Sequence, residues 1–170
     1  MKEIIEPEKK IEVLDEVDVI VVGAGPAGIG AAIASGRNGA KTLLVERFGS
    51  MGGLQVQGNN PIFSFVDPEL HGGIMQEIIR RLKESGGLKN VDDVPRSVRT
   101  RLKDQVIKAV GVDNLPKRLV ETEVGYWGCW GICFDMEHYK FLLETMMEEA
   151  GVKILYHTFA ADVIREDNLL

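Results

Sequence analysis

The chain has 170 residues, close to the size of one domain at about 150 residues each, and its 45% apolar and 27% charged content excludes collagen-like, low-complexity and disulfide-scaffold classes. Lys plus Arg number 20 against 26 Asp plus Glu, a net charge of −6, and no basic block could neutralise a run of phosphates, so nucleic acid is not an expected partner. No apolar run is long enough for a membrane span, the N-terminus lacks a signal-peptide core, and two cysteines fit a reducing, cytoplasmic setting.

Residues 1–16 are charged and aperiodic and read as a leader, with the domain expected over 17–170. Val17 to Val22 is a β-branched run ending at Gly23, as in a buried parallel strand. A helix is expected from Pro26 to Asn38, with proline tolerated in the first turn, and Gly39 stops it. Thr42 to Val45 is a second strand closed by Glu46. Strand, helix and strand make a βαβ unit and therefore a parallel sheet. The fold class is α/β, Rossmann-like.

Phe48 to Pro68 is expected to be a long loop, punctuated by Gly49, Gly52, Gly53, Gly58 and an Asn59-Asn60-Pro61 turn. Ile74, Ile78, Ile79 and Leu82 predict a helix ending at Gly86-Gly87. Val98, Leu102, Val106 and Val110 predict another, whose Arg96, Arg99, Arg101, Lys103 and Lys108 read as a solvated face, with a substrate-side helix attracting an anionic substrate such as a carboxylate as the alternative. A further helix runs from Met136 to Ala150, capped by Asp135 and closed by Gly151, with Met146 and Met147 as core filling. Val152 to Tyr156 predicts a strand, and Ala160 to Arg165 a second extended run. Arg165 to Asn168 is a turn signal before Leu169-Leu170, where a hairpin would begin. The expectation is a domain truncated at its C-terminus.

Gly23-Ala24-Gly25-Pro26-Ala27-Gly28 is a G-x-G-x-x-G placed where a strand meets a helix, the context that makes this pattern a dinucleotide fingerprint. Gly23 permits the tight turn, Gly25 lets the backbone approach a pyrophosphate, and Gly28 allows close helix packing. The helix N-terminus adds N–H groups and a positive dipole end. Glu46, eighteen residues beyond Gly28, stands where an acid meets ribose hydroxyls.

Ala32 and Gly39 extend the fingerprint, and the phrase from Asp18 to Gly28 then resembles the first strand and turn of FAD-binding oxidoreductases of the glutathione-reductase type. Val45-Glu46-Arg47 and Met51-Gly52-Gly53 are similar to that family's second strand and flavin-side glycine loop. Phe134 to Thr158 resembles its helix and strand before the adenine side. The nearest resemblance is to FAD-dependent oxidoreductases related to fumarate reductase flavoproteins, over residues 17–58, 72–82 and 134–165.

The resemblance implies cofactor contacts at Gly23, Gly25, Pro26, Ala27, Gly28, Glu46, Arg47, Met51, Gly52, Gly53 and Ala160; residues 86–130 lie outside the resemblance and are expected to form a partly helical, substrate-side insertion. It implies FAD as cofactor, a small-molecule substrate and flavin-mediated hydride or electron transfer. Residues 48–60 contain no histidine, so FAD is expected to bind non-covalently. The downstream Ala-Thr-Gly-Asp-like motif that completes such flavin sites does not occur, so a C-terminal partner chain or missing segment is expected to supply it. An NAD-dependent dehydrogenase and a non-catalytic fragment remain open as alternatives.

No catalytic side chain is identifiable. Cys129 and Cys133 lack the spacing of a disulfide reductase, and packing is their expected role. No common zinc pattern includes them, and no metal site is expected. His71, His138 and His157 have no triad partner in the sequence. His71 follows the glycine loop and is the first histidine to test.

Overall fold

The computed structural model describes residues 10–64, 72–88 and 131–165, and the elements are numbered within these. A parallel sheet of three strands in the order β1-β2-β5 is built from β1 (Val19–Val22), β2 (Thr42–Val45) and β5 (Lys153–Leu155). Val21 pairs with Leu44, and Leu44 with Ile154. These three point to one face, because side chains alternate along a strand, and all three join the core. β2 is central, and each of its residues is buried. The hydroxyl of Thr42, the polar member of that strand, lies 2.8 Å from Ser35 Oγ and 3.1 Å from the Ala40 carbonyl.

Helix α1 (Pro26–Arg37) connects β1 to β2 and buries Ile29, Ala32 and Ile33 against the sheet. Against it stand α3 (Gly73–Glu84), which buries Ile78 and Leu82, and α4 (Met136–Glu149), which buries Tyr139, Leu143, Met146 and Met147. Met146 and Met147 are core residues, as their spacing indicated. α4 starts at Asp135, whose carboxylate accepts the N–H groups of Glu137 and His138 at 3.0 and 3.2 Å. It ends at Ala150, followed by Gly151 at φ +68°, the left-handed position that closes many helices.

Two expectations are corrected. The stretch 48–68 is not continuous loop: Leu54–Gln57 forms a single helical turn, α2, and Ile62–Ser64 forms β3, which pairs antiparallel with β4 (Gly131–Cys133). The glycines that suggested a loop bound α2 on both sides, and β3 is created by a partner about seventy positions away, as Ile62 faces Cys133. The run 160–165 joins no ladder among the described residues, and Val163 and Ile164 stay exposed. Its apolar residues are too few and too exposed to specify a strand without a neighbour.

Leu88 bridges to Phe134 and Gly87 accepts from the Asp135 N–H at 2.7 Å, so the chain leaves at 88 and returns at 131 at neighbouring points. The expected helix at 96–110, along with His71 and Cys129, lies outside the described residues. Asp15 receives Lys41 Nζ at 2.9 Å and Lys153 Nζ at 2.7 Å, which fastens the segment before β1 to the starts of β2 and β5. These two ammonium groups, Lys153 first, hold the Asp15 carboxyl well below its ordinary range.

The three helices are cross-linked by ion pairs. Arg37 grips Glu77 through both carboxylate oxygens at 2.6 and 2.9 Å, and Arg81 reaches Glu77 at 2.9 Å and Glu149 at 2.9 and 2.6 Å. The Arg37 hydrogen bond is the main cause holding the Glu77 carboxyl below its ordinary value of 4.5. Because folding lowers this pKa, the pairing contributes stability above 4.5 that is lost as pH falls through the lowered value. Glu77→Gln is therefore expected to cost about 1 kcal/mol at neutral pH, a value kept small by solvent screening. It should also flatten the acid limb of the stability curve. Thermal melts from neutral into acid pH check both, and an unchanged acid limb would show the network to be idle.

Candidate functional site

A cleft of about 470 Å³ opens at the carboxyl ends of the three parallel strands, where open α/β sheets bind ligands. Val22 and Gly23 leave β1, Val45 to Phe48 leave β2, and Thr158 to Ala160 follow β5; Gly53, Leu54, Gln57 and Gly58 complete the wall. The strands bring these segments together because their ends share one edge. Beyond β2 and β5 the two exits stay paired, through Glu46 N–H to Leu155 O at 2.8 Å and Thr158 N–H to Glu46 O at 3.0 Å.

The glycines of the turn differ in what surrounds them. Gly23 sits at φ +93°, which lets the chain reverse from β1 into α1. A Cβ on Gly28 would lie 1.8 Å from the Gly23 carbonyl oxygen, so the helix reaches the turn at that depth only without a side chain. Gly25, the N-cap of α1, has nothing within 4 Å of its Cβ position. It offers no side-chain cap, and no acidic residue stands in the first turn. The first N–H groups of a helix have no intrahelical acceptor, so this end is a ready place for an anion.

The Met51–Gly53 loop packs directly on that turn. Gly52 N–H donates to the Ala24 carbonyl at 2.9 Å, and a Cβ on Gly53 would meet Gly25 Cα at 2.8 Å. Met51 is fully buried. Below the loop, Phe63, Phe134 and Tyr139 form a cluster, with Phe63 stacked on Phe134 at 4.3 Å and edge-on to Tyr139 at 5.4 Å. Burial pushes the Tyr139 phenol up to about 12, so it is neutral at physiological pH.

Glu46 is buried at 6% exposure. One carboxylate oxygen accepts the Ala24 N–H at 2.6 Å and the other accepts the Phe48 N–H at 2.9 Å. Next to it Arg47 is exposed, with its guanidinium 4.6 Å from the Phe48 ring centre.

Of the eleven residues singled out from the sequence, Gly23, Glu46, Arg47, Gly53 and Ala160 line the cleft. Gly25, Pro26, Ala27 and Gly28 form the turn and first helical residues beside it, while Met51 and Gly52 support the loop from inside. Sequence reasoning missed Phe48, Gln57, Thr158 and Phe159. The positions after β5 could have been found from the rule that strand exits line the crevice; Gln57 carried no signal.

The two described histidines sit on different segments. His138 lies on α4, with Nδ1 3.4 Å from Asp135. His157 is brought against the loop that has no histidine of its own: its ring stands about 3 Å from the Cβ position of Gly49. Cys133 is half-buried on β4. Among the described residues no group of three or more His, Cys, Asp or Glu side chains could hold a metal ion, and no helix is long and apolar enough to cross a membrane.

A family model described as FAD dependent oxidoreductase matches residues 18–169. A thiamine thiazole synthase of Saccharolobus islandicus is 30% identical over 155 residues, covering 91% of this chain and 42% of that protein. A digeranylgeranylglycerophospholipid reductase of Methanococcus aeolicus is 43% identical over 75 residues, covering 38% of this chain and 19% of that protein. Among solved structures, THI4 of Thermovibrio ammonificans gives a TM-score of 0.49 at 14% identity, covering 90% of this chain and 43% of that one. The chain spans about a fifth to two fifths of the length of these curated relatives.

Proposed function

The chain belongs to the FAD dependent oxidoreductase family, and from that premise we propose that its cleft holds the adenosine diphosphate half of non-covalently bound FAD. The observation that carries this reading is Gly25: at the head of α1, on the edge where three parallel strands end, its missing side chain leaves open space that a Cβ would fill. The residues present fit the group. Gly25 and the N–H groups of Ala27 and Gly28 receive the diphosphate at the positive end of α1, with Pro26 presetting the first turn. Glu46 stands beside the ribose, Arg47 at the outer rim, and Ala160 beside the adenine. The Met51–Gly53 loop backs the turn and leads toward the flavin side.

Bound there, FAD supplies hydride or electron transfer to or from a small-molecule substrate. The part played by this chain would be binding and orientation: the glycine turn and the exits of β2 and β5 would hold the nucleotide end of the cofactor. Residues 17–170 form the cofactor domain in this reading, and 86–130 a substrate-side insertion. Exit and return of the chain at neighbouring points, Leu88 and Phe134, support the insertion. The lack of a disulfide framework supports a cytoplasmic location.

The test is direct. Purified chain mixed with FAD and desalted is expected to keep the visible flavin absorption and to melt at a higher temperature than the apoprotein, because a ligand bound only to the folded state stabilises it. NAD at the same concentration is expected to do neither. Stabilisation by NAD without flavin uptake would overturn the assignment.

A further inference from the structure

We infer that Glu46 is a positioning residue that builds the diphosphate turn before any nucleotide arrives, beyond its place beside the ribose; this rests on the cleft being the nucleotide site. The two oxygens of its carboxylate are each engaged by a backbone N–H, from Ala24 in the turn after β1 and from Phe48 at the exit of β2. The Ala24 contact is the shorter, at 2.6 Å, and is fully enclosed, since Ala24 has 0% exposure. Water cannot replace the acceptor there, so the amide has no alternative partner if Glu46 is lost.

The other groups of the turn are fastened in the same direction. Gly23 N–H donates to the Val45 carbonyl at 2.8 Å, and the Ala24 carbonyl accepts the Gly52 N–H at 2.9 Å. The N–H and the carbonyl of Ala24, which belong to successive peptide units, are thus both tied to the chain that follows β2. Glu46 is the only side chain in this set, and its charge makes the Ala24 bond the strong one. A turn so held presents Gly25 and the head of α1 to a diphosphate without reorganisation on binding, and such preorganisation appears as affinity.

Glu46→Gln separates this role from ribose binding. Glutamine has nearly the same shape and can still bond ribose hydroxyls, but it faces one of the two N–H groups with an NH₂, donor against donor. Three measurements on the full chain read the result. Without nucleotide, the melting temperature is expected to fall by about 5 °C. The Ala24 amide proton, expected downfield in the unsubstituted apoprotein because of its short bond, should move upfield and exchange faster in the variant. Affinities for ADP and for 2′,3′-dideoxy-ADP should both fall, by about tenfold and by equal factors.

Glu46→Asp, which keeps the charge but is one methylene too short to span both amides, should give the same pattern if the Gln variant does not accumulate. An unchanged apoprotein melt and Ala24 signal, with a loss confined to ADP, would overturn the proposal in favour of direct ribose binding. Failure of the unsubstituted chain to bind either ADP or FAD would overturn the site reading itself, and the nucleotide role of Glu46 with it.

Discussion

Gly25→Val is expected to abolish retention of FAD while leaving the fold intact. Gly25 has φ −74° and ψ 178°, an extended conformation that a β-branched residue adopts without strain. Its Cβ would meet nothing within 4 Å, so the first added carbon displaces no neighbour in the protein. The new isopropyl group instead fills the space in front of the first helical N–H groups. It holds a diphosphate away from the amides and the dipole end that attract it, effects that fall off within the first turn. The loss should reach at least about a hundredfold in affinity, equivalent to about 2.7 kcal/mol. Visible absorbance after desalting reads binding, and circular dichroism with a thermal melt reads the fold. Wild-type retention of FAD in this variant would show that the diphosphate lies elsewhere.

Gly28→Ala should give the opposite pattern, a folding defect that precedes any question of binding. Its Cβ would lie 1.8 Å from the Gly23 carbonyl oxygen and 3.0 Å from the carbonyl carbon. Both are backbone atoms, in a turn fastened on every side by Glu46, Val45 and Gly52. No rotamer change relieves that overlap, so α1 must withdraw from β1 and open the core around Ile29, Ala32 and Ile33. The expected cost is about 3 kcal/mol, at the upper end of ordinary overpacking, against a total stability of about 5–15 kcal/mol. In a chain of this size that lowers the melting temperature by about 6–12 °C. Apoprotein melts of the two variants side by side make the comparison: Gly25→Val near the unsubstituted value, Gly28→Ala far below. Equal melting temperatures for Gly28→Ala and the unsubstituted chain would show that the helix does not pack as closely as this turn requires.

These two residues belong to one motif three positions apart, and their contrast marks how far the sequence could be read. The elements carried by local chemistry were legible. β1, α1 and β2 were readable because a β-branched run, a glycine turn, a proline at the first helical position and a closing glycine are all short-range signals. Both ends of α4 were readable for the same reason, since Asp135 and Gly151 act on backbone groups within a few residues. The contacts of the fingerprint glycines were legible only as types. That Gly28 touches the turn while Gly25 faces open space depends on the angle at which α1 leaves the sheet.

What was not legible depends on distant partners. β3 exists because Ile62 and Phe63 meet Cys133 and Ile132, and nothing within Asn59-Asn60-Pro61 announces that pairing. The run at 160–165 shows the converse, a strand-like composition that gains no ladder among the described residues. At the cleft, Thr158 and Phe159 are neighbours of Glu46 only because β5 lies beside β2, and His157 meets Gly49 by the same adjacency.

By itself, the sequence determined the βαβ unit, the glycine turn and the acid at the end of the second strand, because each is written in the torsional and hydrogen-bonding preferences of consecutive residues. Only the tertiary structure decided that Glu46 turns inward to two backbone amides, that the Met51–Gly53 loop braces the turn, and that the exit of β5 closes the cleft. Those outcomes depend on which strand lies next to which, a choice made by burial of the whole core rather than by any local run of residues.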